Sequence, residues 1–542
     1  MNRREFLTSS RTKTAAKARS SRNLATGLTP YAGAWTINEV AHLLKRTMFG
    51  ARKSDIDFFL GLSVGNAVDE LLKTSALPAP PVRDYGLITL EEGTFDDLGV
   101  AIGQTWINDL NVSSDEIARG NIDALRIQSL RKWWVGLMLN QKRSIEEKLL
   151  LFWHHHFSVQ REEVESSRML YYHHDLLRRN LMGNVRELTK LVTVDPAMLK
   201  HLNGHLNAAK APDENYAREL QELMTIGKGD DSGYTEDDVM EAARVLTGWR
   251  IDTDTFMAYF DVDAHDKDSK RFSAFYNNTT ISGSTDGMQE ITQLVDMIFS
   301  AREASRFFCR KLYKWFVYSN IDENTEANVI SPLADILRAN NFEIKPVLEA
   351  LFKSEHFFDV QNQACNIKSP YDMIVGLMRD FNVSIPDYTA YATGYPIFFS
   401  VYIDAAEMQQ NLLQPPDVSG WPAYHQDPMH YELWVNSNSL PKRADFTDKL
   451  ITDNIIDVRS FAAATSMPWN PDRLIEDIDA LLFRYPLSAT SRAYVKNRFL
   501  LNNTGDNNIW TNAWNTNNNA LINPALRELF KFLLNLPEFH LS

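Results

Sequence analysis

Apolar residues recur at helical spacing along most of this chain. In residues 145–156, for example, Ile145, Leu149, Phe152 and His156 fall on one face of a helix. The same spacing predicts further helices over residues 36–47, 53–60, 64–73, 122–140, 165–180, 184–193, 214–224, 237–247, 287–299, 302–318, 330–338, 345–353 and 370–381. The best strand-like alternation lies in residues 249–260 and 395–403. We therefore predict a mainly α fold, a multi-helix globular protein with few short strands and long loops.

Polar residues of the kind that cap helices indicate where some of these helices begin. The predicted caps are Ser144 with Glu147, Asp213, and Thr235 with Asp238. Gly227 and Gly248 follow the second and third of these helices and predict their ends, because glycine adopts the left-handed backbone that often closes a helix.

Two irregular segments and a basic N-terminal segment indicate how the chain divides into domains. Residues 76–103 contain three prolines and several acids, which predicts a long excursion. Residues 502–519 are rich in Asn, whose local side-chain hydrogen bonds compete with helix, so we expect a surface loop there. The predicted domains are a disordered basic tail at 1–30, a helical core at 31–445, and a helical extension at 446–542. We expect the extension to carry the Asn-rich loop and to pack on the core.

The basic tail resembles an incomplete export signal. Arg3 and Arg4 stand where a twin-arginine signal has its paired arginines. The apolar stretch that should follow is interrupted by Arg11, Lys13 and Lys17. If the missing stretch is decisive, the protein is cytoplasmic; if the signal works, it lies in the periplasm or cell envelope.

Composition excludes several classes of function. The net charge of −14 makes nucleic acid an unsuitable partner, because phosphate contacts need a basic surface. Two cysteines cannot form a disulfide framework. No apolar run approaches the roughly 18 residues of a membrane-spanning helix, so no transmembrane segment is predicted. The composition leaves the oligomeric state open.

Three consecutive histidines close the helix predicted at residues 145–156. Imidazole is a common metal ligand and a common acid–base group, so His154 and His156 are candidate metal ligands and His154 a candidate catalytic residue. Residues two apart on a regular helix point about 200° away from each other, so both could bind one metal only if the helix frays. For His156, on the apolar face, a buried hydrogen-bonded core histidine is an equal alternative.

Two carboxylates form the second candidate group. Glu219 and Glu222 are three residues apart on a predicted helix and share a face. Such a pair could bind a metal or divide the acid and base roles of a catalyst. The alternative is a solvated face on which Arg218 pairs with Glu222.

Two later segments carry further candidates. His265, Asp266 and Lys270 follow an aromatic run, and together they could bind an oxyanion or a metal, with Lys270 as a catalytic residue. The alternative is a local ion pair on the surface. The Pro-rich residues 414–422, followed by Tyr424 and His425, predict a rigid aromatic loop that lines a pocket, lines a partner groove or serves packing.

Several short sequence motifs of this chain occur in the order in which one protein family has them. They are His42–Gly50, Phe152–Phe157, Asp195–Leu199, Glu214–Leu220, Tyr234–Val239, Ala243–Trp249, His265-Asp266 with Lys270, Ile367–Pro370 and Gln414–Pro422. By these motifs the chain resembles the bacterial proteins of unknown function grouped as DUF1800, over roughly residues 36–445. The chain departs from the pattern at His155 and Asp213, where the family motifs more often have Asn.

The resemblance implies a mainly helical fold, frequent export, and frequent gene pairing with DUF1501 proteins, which resemble alkaline phosphatases and sulfatases. It implies no reaction. The residues themselves favour a metal-dependent hydrolase, in which a divalent ion activates water. Its predicted metal ligands are His154, His156, Glu219, Glu222, His265 and Asp266, and its predicted catalytic residues are His154, Glu219, Glu222 and Lys270. The alternative is a non-catalytic helical scaffold for a DUF1501-like partner. A weaker third idea is binding of a polysaccharide or polyphenol through the aromatic loops.

Overall fold

A computed structural model describes residues 24, 27–90, 93–97, 99–109, 116–229 and 232–542. The described chain is mainly helical, as its sequence predicts. Its first thirteen helices are α1 (Ile37–Thr47), α2 (Lys53–Leu60), α3 (Val64–Leu71), α4 (Glu116–Leu139), α5 (Glu146–His156), α6 (Arg161–Val164), α7 (Ser167–Arg179), α8 (Val185–Thr193), α9 (Pro196–His201), α10 (Glu214–Glu219), α11 (Glu236–Val245), α12 (Gly287–Ser300) and α13 (Arg302–Phe316). The later ones are α14 (Glu323–Thr325), α15 (Ser331–Ala339), α16 (Ile344–Phe352), α17 (Glu355–Phe358), α18 (Pro370–Asp380), α19 (Tyr391–Glu407), α20 (Ser439–Thr452), α21 (Val458–Ala463), α22 (Pro471–Leu482), α23 (Ala489–Val495), α24 (Asn507–Asn515) and α25 (Asn519–Leu534).

The strands of the described chain pair only locally. They are β1 (Ile88–Leu90), β2 (Gly93–Phe95), β3 (Trp249–Ile251), β4 (Ala258–Phe260), β5 (Lys270–Arg271) and β6 (Thr280–Ile281), paired in sequence order as three antiparallel hairpins. Trp249 pairs with Phe260, so the predicted strand region at 249–260 is a hairpin rather than one strand. No helix in the described ranges is long and apolar enough to cross a membrane.

The second predicted strand is wrong. Residues 395–403 lie inside α19, which packs along α4. The buried residues Tyr395, Phe398, Val401 and Tyr402 recur three and four apart, which is the spacing of a helix face. The aromatic and β-branched content of the segment favoured a strand, and burial against α4 decided for helix.

Two of the three predicted caps are confirmed. Thr235 and Asp238 form the reciprocal capping box, and Asp213 accepts a hydrogen bond from the Asn215 backbone nitrogen. The Ser144–Glu147 box is half right. The Ser144 hydroxyl oxygen accepts a hydrogen bond from the Glu146 backbone nitrogen at 3.2 Å, as predicted. The carboxylate of Glu147 does not reach back to the cap but binds Arg178 through contacts of 2.7 and 3.0 Å.

The Asn-rich segment, predicted as a loop over residues 502–519, is helical at its centre and non-helical at residues 502–506 and 516–518. Residues 507–515 form α24, capped by Asp506. Trp510 is fully buried and donates from its indole nitrogen to the Pro468 carbonyl at 2.9 Å. Burial of this side chain outweighs the low helix propensity of Asn, which is a weak preference of under about 1 kcal/mol per residue.

The C-terminal helices lie against the first helix. Lys45 of α1 donates to the Leu481 carbonyl at 2.8 Å, and Arg484 donates to the Asn38 carbonyl at 3.1 Å. Residues 541–542 are hydrogen-bonded to residues 366–367. The boundary at 445–446 stays a prediction. The predicted basic tail at 1–30 falls almost wholly outside the described residues.

Candidate functional site

The three histidines at the end of α5 are all buried and point to different neighbours. The helix stays regular through His156, so His154 and His156 diverge as a regular helix requires. The Nε2 atom of His154 accepts a hydrogen bond from the Leu413 backbone nitrogen at 3.2 Å. His156 donates from Nε2 to the Met224 carbonyl at 3.1 Å. The pair therefore does not converge on one ion, and His156 is hydrogen-bonded in the core.

His155 supports the loop that contains Gly420 and Trp421. Its Nδ1 atom accepts from the Trp421 backbone nitrogen at 3.0 Å, which places the ring proton on the buried Nε2, where no partner is found among the described residues. A Cβ at Gly420, whose φ is +87°, would lie 2.1 Å from this Nδ1. Only glycine fits that position, so the histidine that departs from the family pattern is built into the loop.

Burial determines the protonation of these rings. It lowers the pKa of His154 to about 3, with a further contribution from the charges of His173 and Arg131. Burial, followed by the charge of Lys311, also holds the pKa values of His155 and His156 well below the ordinary value. All three are neutral at pH 7.

His265 and Lys270 share one buried carboxylate that the sequence predictions missed. The carboxylate of Glu290, on α12, accepts a hydrogen bond from His265 Nε2 at 2.9 Å and one from Lys270 Nζ at 2.6 Å. The side chains of Lys270 and Glu290 are fully inaccessible to solvent. Burial alone would raise the pKa of Glu290, but the hydrogen bonds from His265 and Lys270 hold it below the ordinary value. We call these three residues the buried lattice. The sequence feature that could have identified Glu290 is its position as a carboxylate on the apolar face of α12, beside Ile291 and Leu294.

Asp266 does not join the buried lattice. Its carboxylate binds Arg244 at 2.7 and 3.2 Å, and Arg244 also binds Glu241. The segment of His265, Asp266 and Lys270 is thus tied down by two separate ion-pair systems. This is more extensive than the surface ion pair considered from the sequence.

Glu219 and Glu222 lie where α10 passes into a π-helix at Leu220–Thr225. A π-helical turn is rare and often occurs at a functional position. Glu222 pairs with Lys228 at 2.9 Å, whereas Arg218 pairs with Glu214 and Glu236, so the expected Arg218–Glu222 pair is absent among the described residues. Glu219 forms no ion pair within the same ranges, and burial together with the charge of Glu222 raises its pKa.

Glu222 lines a cavity of about 590 Å³, which we call the outer cavity. Its walls come from three distant parts of the chain: the end of the π-helix, α13, and the loop predicted to line a pocket. The charged and polar lining residues are Glu222, Lys228, Ser232, Glu303, Arg310, Lys311, Lys314, Ser419, Tyr424 and His425. Of the residues predicted to be catalytic, Glu222 lines this cavity.

Two lysines of α13 line the outer cavity without a carboxylate partner in the described chain, and Lys311 Nζ lies 5.3 Å from the centroid of the Phe307 ring. Neither Lys311 nor Lys314 forms an ion pair or hydrogen bond among the described residues. Burial lowers the pKa of Lys311 to about 8, helped by the like charge of Lys314 and opposed by Asp417. At pH 7 most of the Lys311 side chains are still protonated. The sequence predictions missed both residues, which carry no motif and stand out only by their position beside Phe307 and Phe308.

His425 and Asp417 complete the polar wall. The His425 Nε2 and an Asp417 carboxylate oxygen are 3.7 Å apart, and Nε2 has no hydrogen-bond partner in the described chain. Burial lowers the pKa of His425, while Asp417 and a hydrogen bond to the Gly420 backbone oppose that effect. A neutral His425 therefore presents a free ring nitrogen, the form that accepts a proton.

The six predicted metal ligands do not gather in one place. Within the described ranges, no group of three or more His, Cys, Asp or Glu side chains is positioned to hold a metal ion. His154, His156, His265 and Asp266 each have a hydrogen-bond partner in the protein. Glu219 and Glu222 are the two whose charges act on each other, so metal binding stays a prediction.

Comparison with known families extends the resemblance across nearly the whole chain. The family described as "Protein of unknown function (DUF1800)" matches residues 42–541. The chain belongs to this family. The match continues past residue 445, so it includes the helices predicted to form a separate extension. No curated protein and no solved structure matches the chain.

Proposed function

We propose that this DUF1800 protein is a hydrolase that acts on an anionic substrate in the outer cavity. One observation carries the proposal: Glu222, Lys311 and His425, from three distant segments, meet in a cavity of about 590 Å³. The volume is in the range of small-molecule sites. Lys311 is half-buried there without a carboxylate partner, and holding an unpaired charge in such a place costs stability. An anionic ligand would provide the missing partner.

Each polar group has a role in this chemistry. His425 Nε2 accepts a proton from water, and the resulting hydroxide attacks the substrate. Glu219, with its raised pKa, donates a proton to the leaving oxygen. Lys311 and Lys314 stabilise the negative charge that develops on the substrate. Protons are conserved, since the one taken by His425 replaces the one released by Glu219.

Metal dependence is a second form of this proposal. Mg²⁺ is often held by one or two carboxylates, with water and substrate oxygens as its other ligands. Glu219 and Glu222 would supply the carboxylates, and an anionic substrate would supply oxygens. The favourable observation is that Glu219 has no cationic partner in the described chain, although it is close enough to Glu222 for the two charges to interact.

A hydrolysis panel tests the catalytic proposal. We expect the purified protein to hydrolyse at least one nitrophenyl ester among a phosphate, a sulfate and a carboxylate. His425→Gln should lower kcat for these esters by about 10²- to 10⁴-fold, the usual contribution of a general acid or base. Glu219→Gln should cause a loss of that size with the corresponding alkyl esters, whose leaving oxygen needs a proton, and a much smaller loss with the nitrophenyl esters. Glu349→Gln, on the remote helix α16, is the matched control. No hydrolysis of any ester by the folded protein, or equal rates in all variants, would overturn the proposal.

Elemental analysis separates its two forms. A stoichiometric divalent ion that is lost in a Glu219→Gln/Glu222→Gln variant, with activity lost on chelation, establishes the metal-dependent form. Activity that survives chelation in a metal-free preparation establishes the acid–base form. A matched His154→Ala/His156→Ala variant of confirmed fold shows whether these histidines contribute to metal content.

A helical scaffold for a DUF1501-like partner is the second candidate function. The observation in its favour is that buried ion pairs link helices, one of them through Asp195, the first residue of a family motif. His173 binds Asp195 at 3.0 Å, and Arg178 binds Glu147 at 2.7 Å. Such networks rigidify a fold and need no catalytic role. Size-exclusion chromatography of the protein mixed with the DUF1501-like protein from the same source tests this candidate, and two unshifted peaks would count against it.

A further inference from the structure

A second, smaller cavity adjoins the outer cavity. It has a volume of about 30 Å³, and we call it the inner cavity. Lys314 and Tyr424 line both cavities, so the two adjoin at these side chains. One water needs roughly 10–15 Å³ by this measure, so the space holds about two waters or one small oxyanion.

Positive charge dominates the walls of the inner cavity. Four basic side chains line it, those of Lys45, Arg46, Lys148 and Lys314, together with one acidic side chain, that of Asp372. Lys148 pairs with Asp372, and Lys45 pairs with Asp380 at 2.8 Å. Arg46 and Lys314 have no carboxylate partner among the described residues, which leaves an excess of two positive charges. Water would fill the space without neutralising them.

Two residues that line the same space have unused hydrogen-bond donors. Arg46 is 4% exposed, and its Nε atom has no partner in the described chain. The hydroxyl of Ser319, 6% exposed, also lacks one. Buried donors are rarely left unpaired, so each of these requires an occupant that accepts hydrogen bonds. An oxyanion accepts from both and supplies the missing charge.

We propose that the inner cavity binds a phosphate, sulfate or carboxylate group, held by Arg46, Lys314 and Ser319. The further step, that this group is part of the substrate, rests on the proposed function of the outer cavity. Lys314 is the bridge between the two, because it lines both. The substrate class is then an ester whose anionic group lies at the inner end while its scissile bond faces His425 and Glu219.

Direct binding measurements test the inner site without any assay of activity. Inorganic phosphate and sulfate are titrated into the protein by calorimetry at constant ionic strength. We expect saturable binding that weakens about tenfold in Lys314→Met and Arg46→Gln, the effect of losing one charged hydrogen bond. Arg302→Gln, which alters an exposed arginine, is the matched control and should bind as wild type.

Ser319→Ala guards against a folding artefact, because it removes only one hydroxyl and leaves every charge in place. A fully folded Ser319→Ala protein with weakened phosphate and sulfate binding supports the site. Absence of saturable binding by wild type, or equal binding by wild type, Ser319→Ala and Lys314→Met, overturns it.

Inhibition kinetics then test the link to the substrate. Sulfate that competes with the hydrolysed ester, and does so less well in Ser319→Ala, places the bound anion in the substrate's position. Sulfate that binds by calorimetry without competing overturns that assignment. If no ester is hydrolysed, the calorimetry still decides the inner site, so failure of the proposed function is distinguishable from failure of this inference.

Discussion

The buried lattice and the outer cavity use similar side chains in opposite ways. In the buried lattice, Glu290 satisfies both His265 and Lys270 at hydrogen-bonding distance, with no accessible surface left. In the outer cavity, Lys311 and His425 line a space of about 590 Å³. Within the described chain, Lys311 has no carboxylate partner and the buried His425 Nε2 has no hydrogen-bond partner. A fully paired cluster joins elements of the fold, whereas an unpaired one has binding capacity left for a ligand.

This difference shows that a histidine or carboxylate motif is not by itself evidence of a functional site. The segment of His265, Asp266 and Lys270 is the more conspicuous one in the sequence. Its side chains are nevertheless consumed by Glu290 and Arg244. The residues whose charge or ring nitrogen remains available to a ligand lie outside the conspicuous sequence motifs. A motif therefore indicates function only after its hydrogen bonds have been assigned.

Removing the carboxylate of the buried lattice should give the largest effect. Glu290→Ala leaves the charge of Lys270 buried and unpaired, so we expect the free energy of unfolding to fall by about 3–5 kcal/mol. Urea denaturation followed by circular dichroism measures it. Asp263→Ala, which alters an exposed pair with Lys267, should cost less than about 1 kcal/mol. A similar small loss for Glu290→Ala would mean that the lattice is not a structural unit.

The pH dependence of stability sharpens the same comparison. The pKa of Glu290 is lower in the folded protein than its ordinary value of 4.5, so folded Glu290 stays ionised where the unfolded form takes up a proton. Its stabilisation is complete above pH 4.5 and is lost as the pH falls through the folded pKa. Urea midpoints between pH 3 and 6 should decline more steeply for wild type than for Glu290→Gln. Parallel declines would contradict this account.

The pKa of Lys311 tests the other side of the comparison, the outer cavity. We expect a pKa of about 8, measured by NMR on ¹³C-methylated lysines, because burial and the charge of Lys314 disfavour its ammonium form. Lys314→Met should raise that pKa, since it removes the like charge. Assignment uses the Lys311→Met spectrum. A Lys311 pKa near the ordinary 10.5 would show a well-solvated or paired ammonium and weaken the case for an anion in the outer cavity.

A surface ion pair should give the smallest effect. Arg179 and Asp175, four residues apart on α7, pair at 2.6 Å, and the Arg179 side chain is 56% exposed. We expect Arg179→Ala to change the free energy of unfolding by less than about 0.5 kcal/mol. If urea denaturation shows a fall of more than 1 kcal/mol in the free energy of unfolding, exposure does not explain why the buried lattice contributes more stability than such surface pairs.

Local features were predictable because their causes lie within a few residues. The helical spacing in α5, the capping box of Thr235 and Asp238, and the Asp175–Arg179 pair are all contacts of neighbouring turns. The errors arose where distant packing overrode local preference. Residues 395–403 became helical against α4, and residues 507–515 became helical because Trp510 is buried.

The sequence by itself determined the helical class, the family, two of the caps and the acidic character that disfavours nucleic acid as a partner. It also indicated Glu222 and the loop around Asp417. Only the tertiary structure paired His265 and Lys270 with Glu290, and only it joined Glu222, Lys311 and His425 around one cavity. The physical reason is range. Helical periodicity and capping depend on residues up to four apart, whereas the partner of a buried charge is set by whichever segment packs against it.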